Sequence, residues 1–532
     1  MKPIRHRGVV TGTKGMVSSA HTLISASGLK VLERGGNAID AAIAMALTSG
    51  AVLPDMCGPG GDAFALVYSA EEKKIYALNG SGPAPKNISI KALKERGYDR
   101  MPNDGIHSVT IPGAVDTYFT MLEKWGTMSF RELAEDAIAL AEEGVPMSAK
   151  VVRHMHTDYS KMLSFPKLKE TYLDHGLPYG FADVVRVPAL AENLRYLSET
   201  GREGFYHGKI RDDILACSRE QNGFFTEADF DGIFCEITEP ISVSYRNMRI
   251  YQTPPVSQGI IHLEEMGILS HFDMASLGME TAEAVHVMCE AKKIAFADRY
   301  RYFADPAYTD NPVERILSEA YTAQCAERID PEHASQADEH MHHEDSHTTS
   351  FVAIDAYGNA VSFIHSIAGV WGSGLMPENC GFLLNNRGSG FSLDENDINC
   401  LQGSKRTMHT LNTWMIMKDD RLRFIGNTPG GDNQPQWNMQ VIVNLIDHHM
   451  DVQEAVEHAK WADRYENGKH ILRIEKQIGE TELQKLKEKG HTLEIIEPFT
   501  CSGASQVIEI RDDGVRLGGS DPRGDGAAMA QI

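Results

Sequence analysis

The spacing of apolar residues predicts helices for most of the first part of the chain. Apolar positions recur at helical intervals over residues 22–32, and Asn37 is a typical N-cap for a second helix directly after it. Residues 281–299 carry another amphipathic pattern, the clearest in the helical region of residues 130–325. Residues 241–251 interrupt that region and are predicted to form a strand.

Strand patterns dominate the second part of the chain. A glycine-rich turn over residues 55–61 already feeds a strand over residues 62–68, and its glycines permit close backbone approach. The later strands are predicted at residues 350–354, 360–364, 381–384, 413–417 and 423–425, and a helix is predicted at residues 433–448.

Residues 330–347 differ from the rest of the chain because they contain almost no large apolar side chain. A segment that cannot bury a core face is expected to be mobile and exposed. Such segments are also where a chain tolerates a cut. Thr348 follows this segment directly and precedes a strand pattern.

A cut before Thr348 would give one residue both a hydroxyl nucleophile and a free α-amine. An α-amine has a pKa of about 8, so a useful fraction is unprotonated at neutral pH and can act as a base. Thr348 would then carry both halves of a nucleophile–base pair. The alternative is that Thr348 and Thr349 simply begin a hairpin.

Composition and charge narrow the classes of partner. The net charge of −23 argues against nucleic acids and anionic membranes. The longest apolar helical run, residues 38–53, contains Asp40 and is too short to span a bilayer. No long apolar stretch follows the basic N-terminus, and the eight cysteines are scattered without a C-x-x-C pair. We therefore expect a cytoplasmic protein with reduced thiols.

A literal H-E-x-x-H motif runs from His343 through Glu344 to His347. In metalloproteases this spacing places two histidines on one face of a helix, where they bind zinc, and the glutamate acts as base. The motif needs a firm helix, and this segment has no apolar stripe to hold one. A zinc protease and adventitious metal binding to a linker are both alternatives to the threonine mechanism.

Two further segments carry groups suited to an acyl-transfer site. Gly430 and Gly431 follow a predicted strand and precede a helix, where unblocked amide N–H groups suit an oxyanion. A plain turn before a helix is the alternative. Arg387 could hold a carboxylate through two hydrogen bonds, although a solvated loop arginine is the default interpretation. His409 and Thr410 offer further polar groups before a strand.

These motifs, in this order, resemble those of the γ-glutamyltranspeptidase family of N-terminal nucleophile hydrolases. The resemblance covers nearly the whole chain. The matching segments are residues 15–19, 32–42, 57–64, 348–361, 383–386, 429–431 and 520–523.

The resemblance implies an α+β fold of the four-layer αββα type. It implies a precursor that cuts itself between His347 and Thr348, giving a large segment (1–347) and a small catalytic segment (348–532) that stay together. It assigns the nucleophile to Thr348 and the oxyanion hole to Gly430 and Gly431. The position of a second hydroxyl, which orients the nucleophile, falls at Ser366.

Several family contacts to a γ-glutamyl group are replaced in this chain. The arginine that holds the α-carboxylate falls at Gly80, and the acidic residue that holds the α-amine falls at Gly390. A family asparagine becomes Ala368, and two serines that grip the carboxylate become His409 and Thr410. This pattern is more similar to the cephalosporin acylase and oxamate amidohydrolase branches.

We therefore expect Arg387, His409, Thr410 and Asn386 to bind a carboxylate-bearing acyl group. The predicted activity is that of an autoprocessed amidohydrolase or acyltransferase acting on a small-molecule amide, without metal or organic cofactor. A γ-glutamyl transferase with rearranged contacts and an uncut, non-catalytic family member remain open. The sequence is compatible with a homo-oligomer.

Overall fold

Two seven-stranded antiparallel sheets lie face to face at the centre of the molecule. The computed structural model describes residues 6–232, 234–335 and 348–532. In spatial order, the first sheet consists of Ala527–Ala530, Met16–Ser19, Thr349–Ile354, Ala360–Ser366, Asp62–Ser69, Lys74–Gly80 and Glu236–Thr238. The second consists of Val10–Gly12, Arg516–Ser520, Gln506–Ile510, Arg421–Asn427, Trp414–Lys418, Met248–Gln252 and Ile241–Tyr245.

Three apolar cores separate the four layers. Between the sheets, side chains such as Val352 and Ile425 pack together. Their strand neighbours point the other way, because successive side chains in a strand face opposite sides. Phe351 therefore packs in a core with outer helices of one layer, and Phe424 packs in a core with those of the other layer. This arrangement confirms the αββα fold.

Helices cover the outer face of each sheet. Those beside the first sheet include Thr22–Glu33, Ala38–Val52, Ala114–Trp125, Glu135–Glu143 and Pro188–Thr200, and those beside the second include Gly259–Leu269, Ala282–Tyr302, Gln434–Ile446 and Val452–Glu457. The remaining helices are Ile90–Glu95, Phe130–Leu133, Ala149–Thr157, Tyr159–Ser164, Pro166–Tyr172, Arg202–Tyr206, Lys209–Glu220, Met274–Leu277, Val313–Ile316, Glu319–Glu327 and Glu480–Glu488. Within the described part of the chain, no helix combines the length and apolar character needed to cross a membrane.

Local capping explains where the predicted helices begin. The Asn37 side chain accepts hydrogen bonds from the backbone of Ile39 and Asp40, and the Asp40 carboxylate accepts one from the Asn37 backbone. This reciprocal arrangement satisfies orphan donors of the first turn. Thr281 caps the helix Ala282–Tyr302 in the same position. The helices predicted from residues 37 and 281 are therefore confirmed.

One strand prediction covers two strands instead of one, and another was wrong. Residues 241–251 form a hairpin, because Arg246 adopts a positive φ of 55° and turns the chain between two short strands. Residues 381–384 form an irregular buried segment instead of a strand, since Gly381 has a φ of 70° and Leu384 bonds to loop residues near Leu375. Apolar runs this short do not distinguish a strand from a buried loop.

Both sheets contain strands from each predicted segment, residues 1–347 and residues 348–532. In the first sheet, Thr349–Ile354 pairs with Met16–Ser19. In the second, Met248–Gln252 pairs with a strand of the later segment. Separating the segments would expose unpaired strand edges and the apolar cores between layers. The two segments therefore fold as one unit whether or not the bond between them is intact.

The first part of the predicted mobile segment is held in place. In residues 330–335, the Ala334 amide donates to the carbonyl of Lys489 at 2.7 Å. The Ser335 amide donates to a buried glutamate at 3.0 Å. The rest of the predicted segment, residues 336–347, lies outside the described residues.

A small group around Asp355 joins the two segments at the end of the central strand. The Asp355 carboxylate accepts hydrogen bonds from the amides of Tyr357 and Asn359 and from the Asn359 side chain. It also accepts one at 3.1 Å from the Ala38 amide, at the positive N-terminus of a buried helix.

Replacing Asp355 by alanine should lower the free energy of unfolding by about 2–4 kcal/mol, because four hydrogen bonds to a buried carboxylate are lost. A lower midpoint of urea denaturation would report this loss. The exposed Asp512 is a matched control, and D512A should change stability by less than about 0.5 kcal/mol. Equal midpoints for the two variants would contradict the anchoring role of Asp355.

Candidate active site

Thr348 lies at the end of the central strand of the first sheet. The next residue, Thr349, pairs with His365 of the neighbouring strand. Thr348 therefore faces Ser366, and its Oγ1 donates a hydrogen bond to the Ser366 Oγ at 3.3 Å. The Ala368 amide also donates to this oxygen, at 2.8 Å. The structure thus brings together the two hydroxyls predicted for the nucleophile and its orienting group.

Thr348 and Thr349 are not equivalent in this setting. Thr349 is the first residue of the strand, and side chains of successive strand residues point to opposite faces. The Thr349 Oγ1 is buried and has no hydrogen-bond partner among the described residues. The geometry therefore favours Thr348 over Thr349 as the residue with a positioned hydroxyl.

A glycine turn follows the strand Arg421–Asn427 of the second sheet. Gly430 and Gly431 have φ values of 134° and 56°, which favour glycine. A Cβ at Gly430 would lie 2.1 Å from the Trp437 ring. Neither glycine amide donates to any residue within the described ranges. The turn therefore leaves two backbone donors for an anion.

Two side chains fix the position of this turn. The Gln258 amide donates to the carbonyl of Gly431 at 2.8 Å and also to the carbonyl of Thr410. Arg299 forms a buried ion pair with Asp432, the residue after the glycines, and donates to the Gln258 side chain at 3.4 Å. These contacts hold the carbonyl side of the turn, so the amide side is fixed as well.

Asn427 ties the glycine turn to the strand of the nucleophile. It ends the strand that leads into the turn, and its Nδ2 donates to the carbonyls of Phe351 and Phe363 and to the Ser362 hydroxyl. These acceptors belong to the first sheet, at distances of 3.0–3.1 Å. The strand that leads into the glycine turn is thereby connected to the sheet that carries Thr348.

A buried acidic residue, Asp62, holds two predicted substrate-binding residues. Its Oδ2 accepts from the Nε of Arg387 at 3.2 Å and from the Nε2 of His409 at 3.0 Å. We call these three residues the Asp62 group. The Nη1 of Arg387 donates to the Thr410 hydroxyl at 3.2 Å, whereas its Nη2 has no partner within the described part of the chain. Arg387 is thus charge-compensated and still has an unused donor.

His409 supports Asp62 and has no ring nitrogen left for a ligand. The Leu411 amide donates to its Nδ1 at 3.3 Å, so the neutral ring carries its proton on Nε2 and donates it to Asp62. Burial, followed by the nearby Arg387 guanidinium, lowers the pKa of His409 to about 4. His409 therefore stays neutral near pH 7.

Asn386 lines a large cleft and is hydrogen-bonded to two neighbouring loops. Its Oδ1 accepts from the Gly369 amide at 2.7 Å and its Nδ2 donates to the Asn103 carbonyl at 2.8 Å. Together with Ala368 and Gly390, it lines a cleft of about 1330 Å³. Thr348 and Arg387 are themselves buried, and neither lines this cleft.

The position of the family's carboxylate-binding arginine cannot hold a side chain in this structure. A Cβ at Gly80 would lie 1.8 Å from the Thr117 Oγ1 and 2.9 Å from the Ala63 carbonyl. Thr117 belongs to the helix Ala114–Trp125, which fills this space. The family's acidic position is Gly390, which has no side chain. Neither position therefore supplies a side chain that could contact a ligand.

Sequence patterns did not reveal Asp62, Gln258 or Asn427 as site residues. Asp62 closes the glycine-rich turn and begins a strand in which all eight residues are buried. A lone acidic residue at the head of an apolar strand was the available signal, since a buried carboxylate requires partners. The zinc alternative, through His343, Glu344 and His347, lies outside the described residues.

Comparisons with known proteins agree over nearly the whole chain. The sequence model of the family described as Gamma-glutamyltranspeptidase matches residues 25–531. The Glutathione hydrolase-like YwrD proenzyme of Bacillus subtilis (strain 168) is 36% identical over 532 residues, covering 98% of this chain and 99% of that protein. The Oxamate amidohydrolase proenzyme of Klebsiella pneumoniae subsp. pneumoniae is 30% identical over 525 residues, covering 97% and 98%. A crystal structure of cephalosporin acylase from Bacillus halodurans superposes with a TM-score of 0.93 at 32% identity, covering 100% of this chain and 98% of that one.

The lowered pKa of His409 predicts a loss of stability in acid. Its folded value of about 4 lies below the usual value of 6.5, so the stabilisation is present above pH 6.5 and lost as the pH falls toward 4. H409Q should remove up to about 3 kcal/mol of this pH dependence. Urea denaturation between pH 4.5 and 7.5 measures it. H175Q, at an exposed histidine, should keep the wild-type slope, and an unchanged slope in H409Q would contradict a neutral buried ring.

Proposed function

Because this chain belongs to the γ-glutamyltranspeptidase family, we propose that it is a self-cleaving proenzyme that hydrolyses amides of short acyl groups bearing a second carboxylate. The family membership and the hydrolase class follow from the match over residues 25–531. The observation that carries the finer proposal is the Thr348–Ser366 contact of 3.3 Å beside the Asp62 group.

Maturation proceeds by attack of Thr348 on the bond that precedes it. The Thr348 Oγ adds to the carbonyl carbon of His347, and the C–N bond breaks to leave an ester on the threonine and a free α-amine. Water then hydrolyses the ester, which restores the hydroxyl and releases the new carboxyl terminus. Ser366 holds the hydroxyl in position for both steps, through the contact that it already makes.

Turnover uses the same hydroxyl with the α-amine as base. The Thr348 Oγ attacks the substrate carbonyl, its proton moves to the α-amine, and the oxyanion accepts hydrogen bonds from the Gly430 and Gly431 amides. Collapse expels the amine, which takes the proton, and leaves an acyl-enzyme. Water activated by the same α-amine releases the acid. No step requires a metal or organic cofactor.

The unused donor of Arg387 supports recognition of a carboxylate. A buried guanidinium N–H without a partner costs about 1–3 kcal/mol, which a substrate oxygen would recover. Asp62 pairs with Ser366 on the adjacent strand, so Asp62 lies two strands from Thr348, or about 10 Å. A dicarboxylic acyl group of a few carbons spans such a gap when the arginine side chain reaches back toward the nucleophile.

A γ-glutamyl substrate with rearranged contacts is the second candidate. It is supported by the 36% identity to a protein named as glutathione hydrolase-like. Against it, Gly80 and Gly390 supply no side chain for the α-carboxylate or the α-amine. Comparison of γ-glutamyl, glutaryl and oxamate amides, with and without a dipeptide acceptor, separates hydrolysis from transfer and orders the acyl groups.

Substitution of Thr348 tests the proposed nucleophile. T348A should remain a single chain of 58.8 kDa on a denaturing gel and lose at least about 10³-fold in turnover. T349V is the matched control, since the Thr349 hydroxyl that it removes has no hydrogen-bond partner among the described residues. This variant should still give two fragments, the smaller beginning at Thr348. A T348A protein that splits, or a wild-type chain that never splits yet hydrolyses amides, would refute the proposal.

Substitution of Arg387 tests recognition of the acyl carboxylate. R387Q should lower kcat/KM for a glutaryl anilide by about 10–150-fold, the effect of a charged hydrogen bond, and should change a butyryl anilide much less. R387K, which keeps the charge near Asp62, guards against misfolding. R100Q, at an exposed residue of the cleft, is the control. An equal loss on both anilides would assign Arg387 to folding alone.

A further inference from the structure

A buried group of potential metal ligands lies outside the active site. Glu264 comes from the helix Gly259–Leu269, Asp298 from Ala282–Tyr302 and Cys325 from Glu319–Glu327. One oxygen from each carboxylate and the cysteine sulfur lie within 4.8 Å of one another. All three residues are buried. We call this group the three-helix cluster.

Glu264 lacks the partners that a buried carboxylate requires. Neither of its oxygens accepts a hydrogen bond from the residues that the structure describes. Asp298 accepts a hydrogen bond from the Tyr321 hydroxyl. The neighbouring cation is Arg328, an exposed residue just beyond the last helix. An isolated buried carboxylate costs several kcal/mol or more unless a cation or a proton neutralises it.

We propose that the three-helix cluster binds a divalent transition metal of the Zn²⁺ class in a structural role. A thiolate with two carboxylates suits Zn²⁺ or Co²⁺ better than Mg²⁺ or Ca²⁺, which prefer oxygen ligands alone. Metal–ligand bonds of about 2.0–2.3 Å place tetrahedral ligands about 3.5 Å apart, so the cluster contracts slightly on binding. Tyr321 or water supplies the fourth ligand.

The bound metal would fasten three helices of one outer layer. Among the described residues, Glu319–Glu327 is the last helix that precedes the cleavage bond in the chain, and it contributes Cys325 to the cluster. The metal therefore anchors the segment through which the chain approaches the cleavage bond. It takes no part in the chemistry at Thr348, so this inference stands independently of the proposed substrate.

A proton shared between carboxylates is the competing occupant. Burial and the adjacent Asp298 raise the pKa of Glu264 far above its usual range, and the two side chains are within hydrogen-bonding reach. A second group, His286, Glu290 and His491, also has ligand spacing. The two histidines are hydrogen-bonded to each other at 2.8 Å, and the glutamate accepts from Lys293. Each residue of this second group therefore already has a partner.

Titration of the chelator-treated full chain with Co²⁺ tests the site. A thiolate–cobalt charge-transfer band identifies a cysteine ligand. Imidazoles do not produce this band, so the histidines of residues 330–347 do not interfere. The wild-type protein should show the band with one Co²⁺ per chain and a raised thermal midpoint. C325S should abolish the band, and E264Q should weaken Co²⁺ binding by at least about tenfold, the effect of losing a ligand.

Neighbouring residues provide matched controls. Glu265 is also fully buried without a hydrogen-bond partner in the described ranges, and Cys289 is another buried free thiol. E265Q and C289S should keep the wild-type titration. Zinc content by elemental analysis of the untreated wild-type chain provides a second measurement if C325S does not fold. Absence of the band at saturating Co²⁺, or its persistence in C325S, would overturn the proposal in favour of a shared proton.

Discussion

The strand Thr349–Ile354 is the constraint on which the rest of the structure depends. It is hydrogen-bonded on both sides within the first sheet, and all six of its residues are buried. One face packs between the sheets and the other packs under helices. The backbone before Thr349 therefore has little freedom. Any residue at position 348 is held at the sheet end, where it faces Ser366.

The second sheet contacts the first near this point through buried polar groups within a largely apolar interface. Asn427 reaches three acceptors of the first sheet immediately before the turn that contains Gly430 and Gly431. A buried amide nitrogen whose donors are paired in this way favours a single register between the sheets, because a shift would leave those donors unpaired. Thr348 and the glycine turn come from different sheets, and this contact joins the strand that follows Thr348 to the strand that precedes the turn.

Much of the architecture could be predicted because the signals were local or carried by motifs. Asn37 and Thr281 cap helices through their own neighbours, so sequence alone was sufficient. The turn at Arg246 has no glycine or proline to mark it, and the buried run at 381–384 looks apolar for tertiary reasons. In the site, motif order led to the prediction of Thr348 as nucleophile and of Gly430 as an oxyanion donor. The contact of Asp62 with Arg387 and His409 joins residues more than 300 positions apart, which spacing cannot reveal.

The close packing at Gly80 has a consequence for how specificity changes within such a scaffold. An arginine introduced there would meet Thr117 and the backbone of Ala63, so it requires the helix Ala114–Trp125 to move first. An Arg387 that already has Asp62 as its counterion would then be redundant or repulsive. A single replacement of Gly80 by arginine would therefore destabilise the fold before it could contribute a new charge to the site. A larger residue at this position demands coordinated substitutions in the helix that packs against it.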